Sequence, residues 1–246
     1  MANFSILDAC TLFGPWPQHA ADLSVETLLS GMKSNGIVRS LATSTIGIFH
    51  DYRQGNVETI NVARQYPQQL FPVATLDPRA FPECLGEAET RAGEGFRLFR
   101  FFPKRQVWPL HFAPFHQALK KCDQLNVPVA VTTARAGEMT ALSEMVKPLQ
   151  IPILLAGVDS GLLGEAIAVM RDNPRLYLET TGLLAPGALE AVRDGVEGGV
   201  ERLVFASYSP LRYLSSAIGP ILASALSDDE KALVLGGNLK QLLSKE

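Results

Sequence analysis

The residues that could do chemistry begin near the N-terminus, in the apolar stretch ILDACTLFG at residues 6–14. In an extended chain, Asp8 and Cys10 fall on the same face of a buried strand. An unpaired buried aspartate costs several kcal/mol, so we expect Asp8 either to have a partner or to belong to a site. Cys10 could be a nucleophile if a base or a positive charge generates its thiolate. The alternative is that Cys10 is a small apolar filler.

Three polar side chains at the ends of later apolar stretches are the next candidates. Arg100 could clamp a carboxylate or an oxyanion, or it could form a buried ion pair with Asp8 or Glu179. Glu179 could be a general base, although pairing with Arg100 or Arg175 would also explain it. Tyr208 could donate to a substrate oxygen or act as a base, or it could simply fill volume with a hydrated hydroxyl.

Side chains on the predicted loops could line a pocket around these groups. His50 and His111 could reach a ligand, or they could be solvated surface histidines. Trp16 and Trp108 could form apolar walls of the pocket. Asp159 could touch a ligand or cap the helix that follows it. Arg135 and Arg212, together with Arg100, would make the entrance favourable to anions, unless these charges only line the rim.

Composition limits the class of protein. The chain has 246 residues, of which 47% are hydrophobic and 19% are charged, with a formal net charge of -3. We expect residues 1–246 to form one α/β domain. A near-neutral charge without a Lys/Arg-rich run argues against nucleic acid or an anionic membrane as a partner.

The sequence also indicates where the protein would be found. No apolar run reaches the roughly 18 residues that a membrane span needs, and the N-terminus carries no basic leader. The three cysteines lack CxxC spacing and are odd in number. Free thiols are typical of a reducing compartment, so we expect a cytoplasmic protein.

Short apolar segments alternate with amphipathic ones along the whole chain. Eight segments have the length and composition of buried strands: residues 6–14, 37–43, 70–76, 95–102, 127–133, 151–158, 175–181 and 202–207. Helical spacing occupies the intervals and the C-terminus: residues 24–35, 56–66, 83–92, 113–125, 138–149, 162–172, 186–197, 211–225 and 228–243. Strands that are apolar on both faces, each followed by a helix, predict a parallel sheet covered by helices. Eight such units in this length favour a (β/α)8 TIM barrel over an open sheet.

Several strand and helix segments of this sequence occur in the same order as similar segments in a known protein family. ILDACTLFG stands where that family has I-D-x-H-x-H-x-G, and YPQQLFPVATLDPR and GFRLFRFFP resemble its third and fourth strands. LNVPVAVTT, IPILLAGVDSG and RLVFASYSP resemble its fifth, sixth and eighth strands, and LSDDEKALVLGGNLKQLL its closing helix. In this order the chain resembles the amidohydrolase-related family (amidohydrolase family 2). The resemblance implies an amidohydrolase-like TIM barrel.

The same resemblance implies a divergent member. The family typically binds a divalent metal through two histidines of the first strand, one histidine each of strands five and six, and an aspartate ending strand eight. In this sequence the corresponding positions hold Cys10, Leu12, Thr132 (or Thr133), Gly157 and Tyr208. Asp8, which precedes the histidine pair in the family, is kept. Because a catalytic metal needs about three converging donors, we expect neither a metal nor another cofactor, and we assign Cys10 and Thr132 to substrate binding.

Two functional hypotheses follow from these residues. The first is a metal-independent hydrolase or lyase of a small carboxylated or lactone-like substrate. In it, Arg100 holds an anionic group, and Asp8, Glu179 or Tyr208 moves protons. The second is a barrel that has lost catalysis and binds a small molecule or another subunit. Association into a homo-oligomer is left open by the sequence.

Overall fold

The computed structural model describes residues 4–18 and 20–244. Eight parallel strands lie in a sheet in the order of the chain, from β1 to β8. Their bounds are Ile6–Phe13, Ile37–Ser44, Leu70–Thr75, Leu98–Phe101, Val129–Thr132, Ile153–Ala156, Leu176–Glu179 and Leu203–Val204. The chain just after β8 returns to β1, since the backbone N–H groups of Ala9 and Leu12 donate to the carbonyls of Phe205 and Ser209 at 2.9 and 2.8 Å. The predicted TIM barrel is confirmed.

Helices cover the outside of the barrel. The α-helices of the described residues, numbered α1 to α12, are Val25–Ser34, Ile46–Phe49, Tyr52–Gln65, Glu83–Gly93, Pro103–Gln106, Ala113–Gln124, Glu138–Val146, Leu163–Asp172, Ala188–Gly195, Leu214–Ala223, Asp228–Ala232 and Asn238–Leu243. Within residues 4–18 and 20–244, none of these helices combines the length and the apolar composition needed to cross a membrane.

Two parts of the helical pattern differ from the prediction. The helix predicted for residues 56–66 begins at Tyr52, because the Asp51 carboxylate caps it by accepting from the backbone N–H groups of Arg53 and Gln54. The helix predicted for residues 228–243 is interrupted by a π-helical turn. Gly236 lies in that turn, where a Cβ atom would come within 2.3 Å of the carbonyl oxygen of Ser5. This close approach requires glycine.

Side chains alternate between two apolar clusters along the strands. Outward residues such as Phe99 and Phe101 of β4 pack beneath the helices in the larger cluster. Inward residues such as Leu98 fill the barrel, where Leu239 and Leu242 of α12 join them. Arg100 therefore points inward from β4, between the apolar lower layer of the barrel and its mouth.

Candidate functional site

The barrel interior contains one buried ion pair, between Arg100 of β4 and Glu179 of β7. Their side chains are both 1% exposed. The guanidinium binds the carboxylate with both arms, with Nη2 to Oε1 at 2.5 Å and Nη1 to Oε2 at 3.3 Å. Nη2 also donates to the carbonyl of Ala9 at 3.1 Å. The fork that could bind a substrate carboxylate is thus occupied by a carboxylate of the protein itself.

An apolar layer lies over this ion pair at the C-terminal ends of the strands. We call it the mouth plug, and it consists of Leu12, Trp16, Leu23, Ile48 and Phe102, all buried. The Trp16 ring meets the rings of Phe49 and Tyr208 edge to face, with centroids 4.8 and 6.2 Å apart. The plug residues come from β1 and from the segments after β1, β2 and β4, at the end of the barrel where barrel enzymes place their substrates.

The Asp8 carboxylate accepts hydrogen bonds from the backbone and forms no ion pair with Arg100. Its Oδ1 atom accepts from the backbone N–H groups of Cys10 and Ser207, both at 3.0 Å. The bond from Ser207 connects β1 to the chain just after β8, whereas the bond from Cys10 lies within β1. Oδ2 is buried without a hydrogen-bond partner among the described residues. Burial raises the pKa of Asp8 from 3.8 to about 7, against the opposing effect of hydrogen bonds from Ser207 and Cys10.

Cys10 and Tyr208 adjoin the ion pair, and neither is held in an activated form. Burial raises the pKa of the Cys10 thiol and the pKa of the Tyr208 hydroxyl, with nearby Arg100 opposing the rise in both. The thiol and the phenol are therefore neutral at physiological pH. Tyr208 has a left-handed backbone, with φ 63°, and its N–H donates to the carbonyl of Cys10 at 2.8 Å.

The other predicted site residues lie at the ends of other strands and helices. His50 is exposed at the end of α2, and Thr132 is partly exposed at the end of β5. Asp159 caps the turn after β6, where its Oδ1 accepts from the N–H of Gly161 at 2.8 Å. Contact of Asp159 with a ligand stays a prediction.

The positions that correspond to the family's metal ligands do not form a donor set. Cys10 offers a neutral buried thiol, Leu12 belongs to the mouth plug, and Gly157 has no side chain. Within the described residues, no group of three or more His, Cys, Asp or Glu side chains is arranged to hold a metal ion. These residues do not fit the family's divalent metal.

An open cavity lies beside the plug rather than beneath it. It has a volume of about 560 Å³ and runs between the segment after β4 and the segment after β5. We call it the mouth groove; its lining residues include Lys104, Trp108, His111, Arg135 and Glu138. The residues that line the mouth groove do not include Asp8, Arg100, Glu179 or Tyr208.

The walls of the mouth groove combine fixed apolar surface with exposed charge. Trp108 is held by a hydrogen bond from its Nε1 to the Gln106 side chain at 3.1 Å, and its ring packs against Phe115. Lys104 and Arg135 are exposed and form no ion pair with the described residues. The sequence indicated Trp108, His111 and Arg135 as pocket residues but missed Lys104. The basic run KRQ directly after Pro103, at the end of β4, was the available signal.

Val107, on the rim of the mouth groove, has a strained backbone. Its φ is 57°, a left-handed conformation that is costly for a β-branched residue, and its side chain is 82% exposed. Val107→Asn is expected to raise the free energy of unfolding by about 1 kcal/mol, because asparagine tolerates this conformation. Urea denaturation measures the change. Val57→Asn, at an exposed helical position, is the control and should bring no gain.

Comparison with known proteins gives one family and many structural neighbours. The family model described as Amidohydrolase matches residues 49–243. No curated protein sequence gives a significant match to the chain.

Three solved structures illustrate the likeness of fold. An uncharacterised TIM-barrel protein from Bordetella bronchiseptica has 17% identity and a TM-score of 0.77, over 97% of this chain and 98% of its own. A 5-carboxyvanillate decarboxylase from Sphingomonas paucimobilis has 15% identity and a TM-score of 0.76, over 98% and 99%. A probable 2-pyrone-4,6-dicarboxylic acid hydrolase from Acinetobacter baumannii, with citric acid bound, has 14% identity and a TM-score of 0.75, over 97% and 99%. At these identities the likeness shows the fold alone.

Proposed function

The chain belongs to the amidohydrolase family, and on this premise we propose that it binds a small carboxylated molecule in the mouth groove, without chemistry at the barrel axis. One observation carries the proposal. The Arg100 guanidinium, the cation best placed to hold a substrate carboxylate at the axis, is paired with Glu179 beneath the mouth plug. An anion arriving from solvent meets the mouth groove first.

The mouth groove has the chemistry that a small carboxylate needs. Lys104 and Arg135 supply two cations, while Trp108 and Leu110 supply apolar surface for the body of the ligand. The Glu138 carboxylate is already engaged, since it accepts from the backbone N–H groups of Ala134 and Arg135 at 2.9 and 3.1 Å. A volume of about 560 Å³ falls within the range of small-molecule sites. The carboxylated aromatic for which one structural neighbour, the 5-carboxyvanillate decarboxylase, is named supports this ligand class.

Benzoate is the probe that tests this proposal. We expect one molecule to bind per chain by calorimetry, with a change in the fluorescence of Trp108, measured in a Trp16→Phe background. Lys104→Gln/Arg135→Gln should weaken binding about tenfold or more, because each charged hydrogen bond contributes on the order of 1.5–3 kcal/mol. Lys120→Gln removes an exposed cation outside the cavities described above and should leave the affinity unchanged. Equal affinity in the double variant and in the wild type would refute the proposal.

A second candidate is the metal-independent hydrolase or lyase of a small carboxylated or lactone-like substrate. The observation that favours it is a set of buried polar atoms without partners among the described residues. Arg100 Nε and Trp16 Nε1 belong to this set, as does Asp8 Oδ2. Such atoms are rare in closed interiors, so they would suit a substrate admitted by movement of Trp16. Turnover of the lactone dihydrocoumarin that is lost in Glu179→Gln would favour this candidate over simple binding.

A further inference from the structure

A second charged cavity lies at the opposite end of the barrel. It has a volume of about 430 Å³, and we call it the lower groove. Its lining residues are Ser5, Leu7, Val38, Arg39, Phe71, Arg97, Lys240, Leu243 and Ser244. They come from the beginnings of β1, β2 and β3, from the residue before β4, and from α12 and the residue that follows it. The sheet order places these strand beginnings side by side.

The charges of the lower groove are of one sign. Arg39, Arg97 and Lys240 line it, and none of its described lining residues is acidic. These three side chains also form no ion pair elsewhere in the described part of the chain. Cations that share a groove repel one another, so the arrangement does not serve the stability of the free protein. It also lies on the face of the barrel that carries no active site in enzymes of this fold.

Arg39 is held in position before any ligand arrives. Its Nε donates to the carbonyl of Gln68 at 3.0 Å, and its guanidinium carbon lies 5.0 Å from the centroid of the Phe71 ring. These contacts fix the guanidinium over an aromatic face while Nη1 keeps its donors, for which no partner is found among residues 4–18 and 20–244. A donor fixed in advance loses little conformational entropy when it binds an anion.

We propose that the lower groove binds a small organic anion with an apolar body. The anionic head lies among Arg39, Arg97 and Lys240. The apolar body packs on Leu7, Phe71 and Leu243, which are half-buried on the floor of the groove. A medium-chain carboxylate has both parts, and the volume of the groove is sufficient for it.

Octanoate is the probe for this site, and calorimetry at low salt measures its affinity. We expect binding to the wild type and a loss of about tenfold or more in Arg97→Gln/Lys240→Gln, since both side chains are exposed and their replacement leaves the fold intact. Lys120→Gln is the matched control and should bind octanoate like the wild type. The mouth-groove variant Lys104→Gln/Arg135→Gln should also bind it normally.

Thermal melting gives a readout that a merely structural role would not produce. Octanoate should raise the Tm of the wild type and leave that of Arg97→Gln/Lys240→Gln unchanged. Without ligand, the double variant should melt at a higher temperature than the wild type at low salt, and the difference should shrink as salt screens the repulsion. The proposal would be overturned if octanoate did not bind, or if it bound Arg97→Gln/Lys240→Gln as tightly as the wild type. It would also be overturned if binding were lost in the mouth-groove variant instead.

Discussion

Replacing Arg100 with methionine is expected to lower the free energy of unfolding by about 3–5 kcal/mol, because it leaves a buried carboxylate without its partner. Glu179 lies under the mouth plug with a side chain that is 1% exposed, so water cannot replace the guanidinium. Urea denaturation at pH 7 measures the loss. A pair that served only to hold substrate, open to solvent, would give a change near the 0–1 kcal/mol of exposed ion pairs.

A double variant separates two contributions to the free energy of unfolding: the cost of leaving one charge buried without a partner, and the net contribution of the ion pair itself. Glu179→Leu alone should destabilise by a similar mechanism, because the Arg100 charge then stays buried and unpaired. Arg100→Met/Glu179→Leu should recover most of the stability, since replacing a whole buried pair with apolar side chains is often neutral or favourable. If the two single losses simply add in the double variant, Arg100 and Glu179 do not act as a pair.

The second large effect is expected in the pH dependence of stability, through Asp8. The pKa of Asp8 is about 7 in the folded state, above its ordinary value of 3.8. The folded state therefore binds more protons than the unfolded state between these two values, and stability falls as the pH rises through this window. Below about pH 4 both states are protonated, and the destabilisation disappears. From pH 5 to pH 8, the ionisation of Asp8 should lower the free energy of unfolding by roughly a further 2–3 kcal/mol.

Asp8→Asn removes this titration while it keeps the Oδ1 acceptor for Cys10 and Ser207. The amide group of asparagine does not titrate, so any change that it makes to the free energy of unfolding is the same at every pH. We expect the difference in free energy of unfolding between Asp8→Asn and the wild type to move in favour of the variant from pH 5 to pH 8. Equilibrium denaturation at several pH values measures it. A difference that stays constant would mean that Asp8 ionises at its ordinary pKa.

The sequence predicts the fold because the signals for it are local and repeated. Eight apolar segments alternate with helical ones, and this alternation predicts a parallel sheet covered by helices. The predicted boundaries of helices were less accurate than their presence. At the π-helical turn around Gly236, for example, the backbone packs closely against Ser5, which is distant in the sequence. The sequence also did not predict the short helices α2 and α5, because four residues are too few to show a periodic pattern.

The candidate site depends on contacts that a linear pattern does not contain. The sequence by itself determined which residue types stand at the strand ends, including Cys10 and Leu12 where relatives have histidines. Only the tertiary structure decided between the alternatives for Arg100, since Glu179 lies 79 positions away and reaches it by pointing into the same barrel layer. It also decided that Asp8 binds the backbone of Ser207, 199 positions along the chain. The physical reason is that a strand's side-chain period fixes the face a residue occupies, whereas closure of the barrel fixes what it meets there.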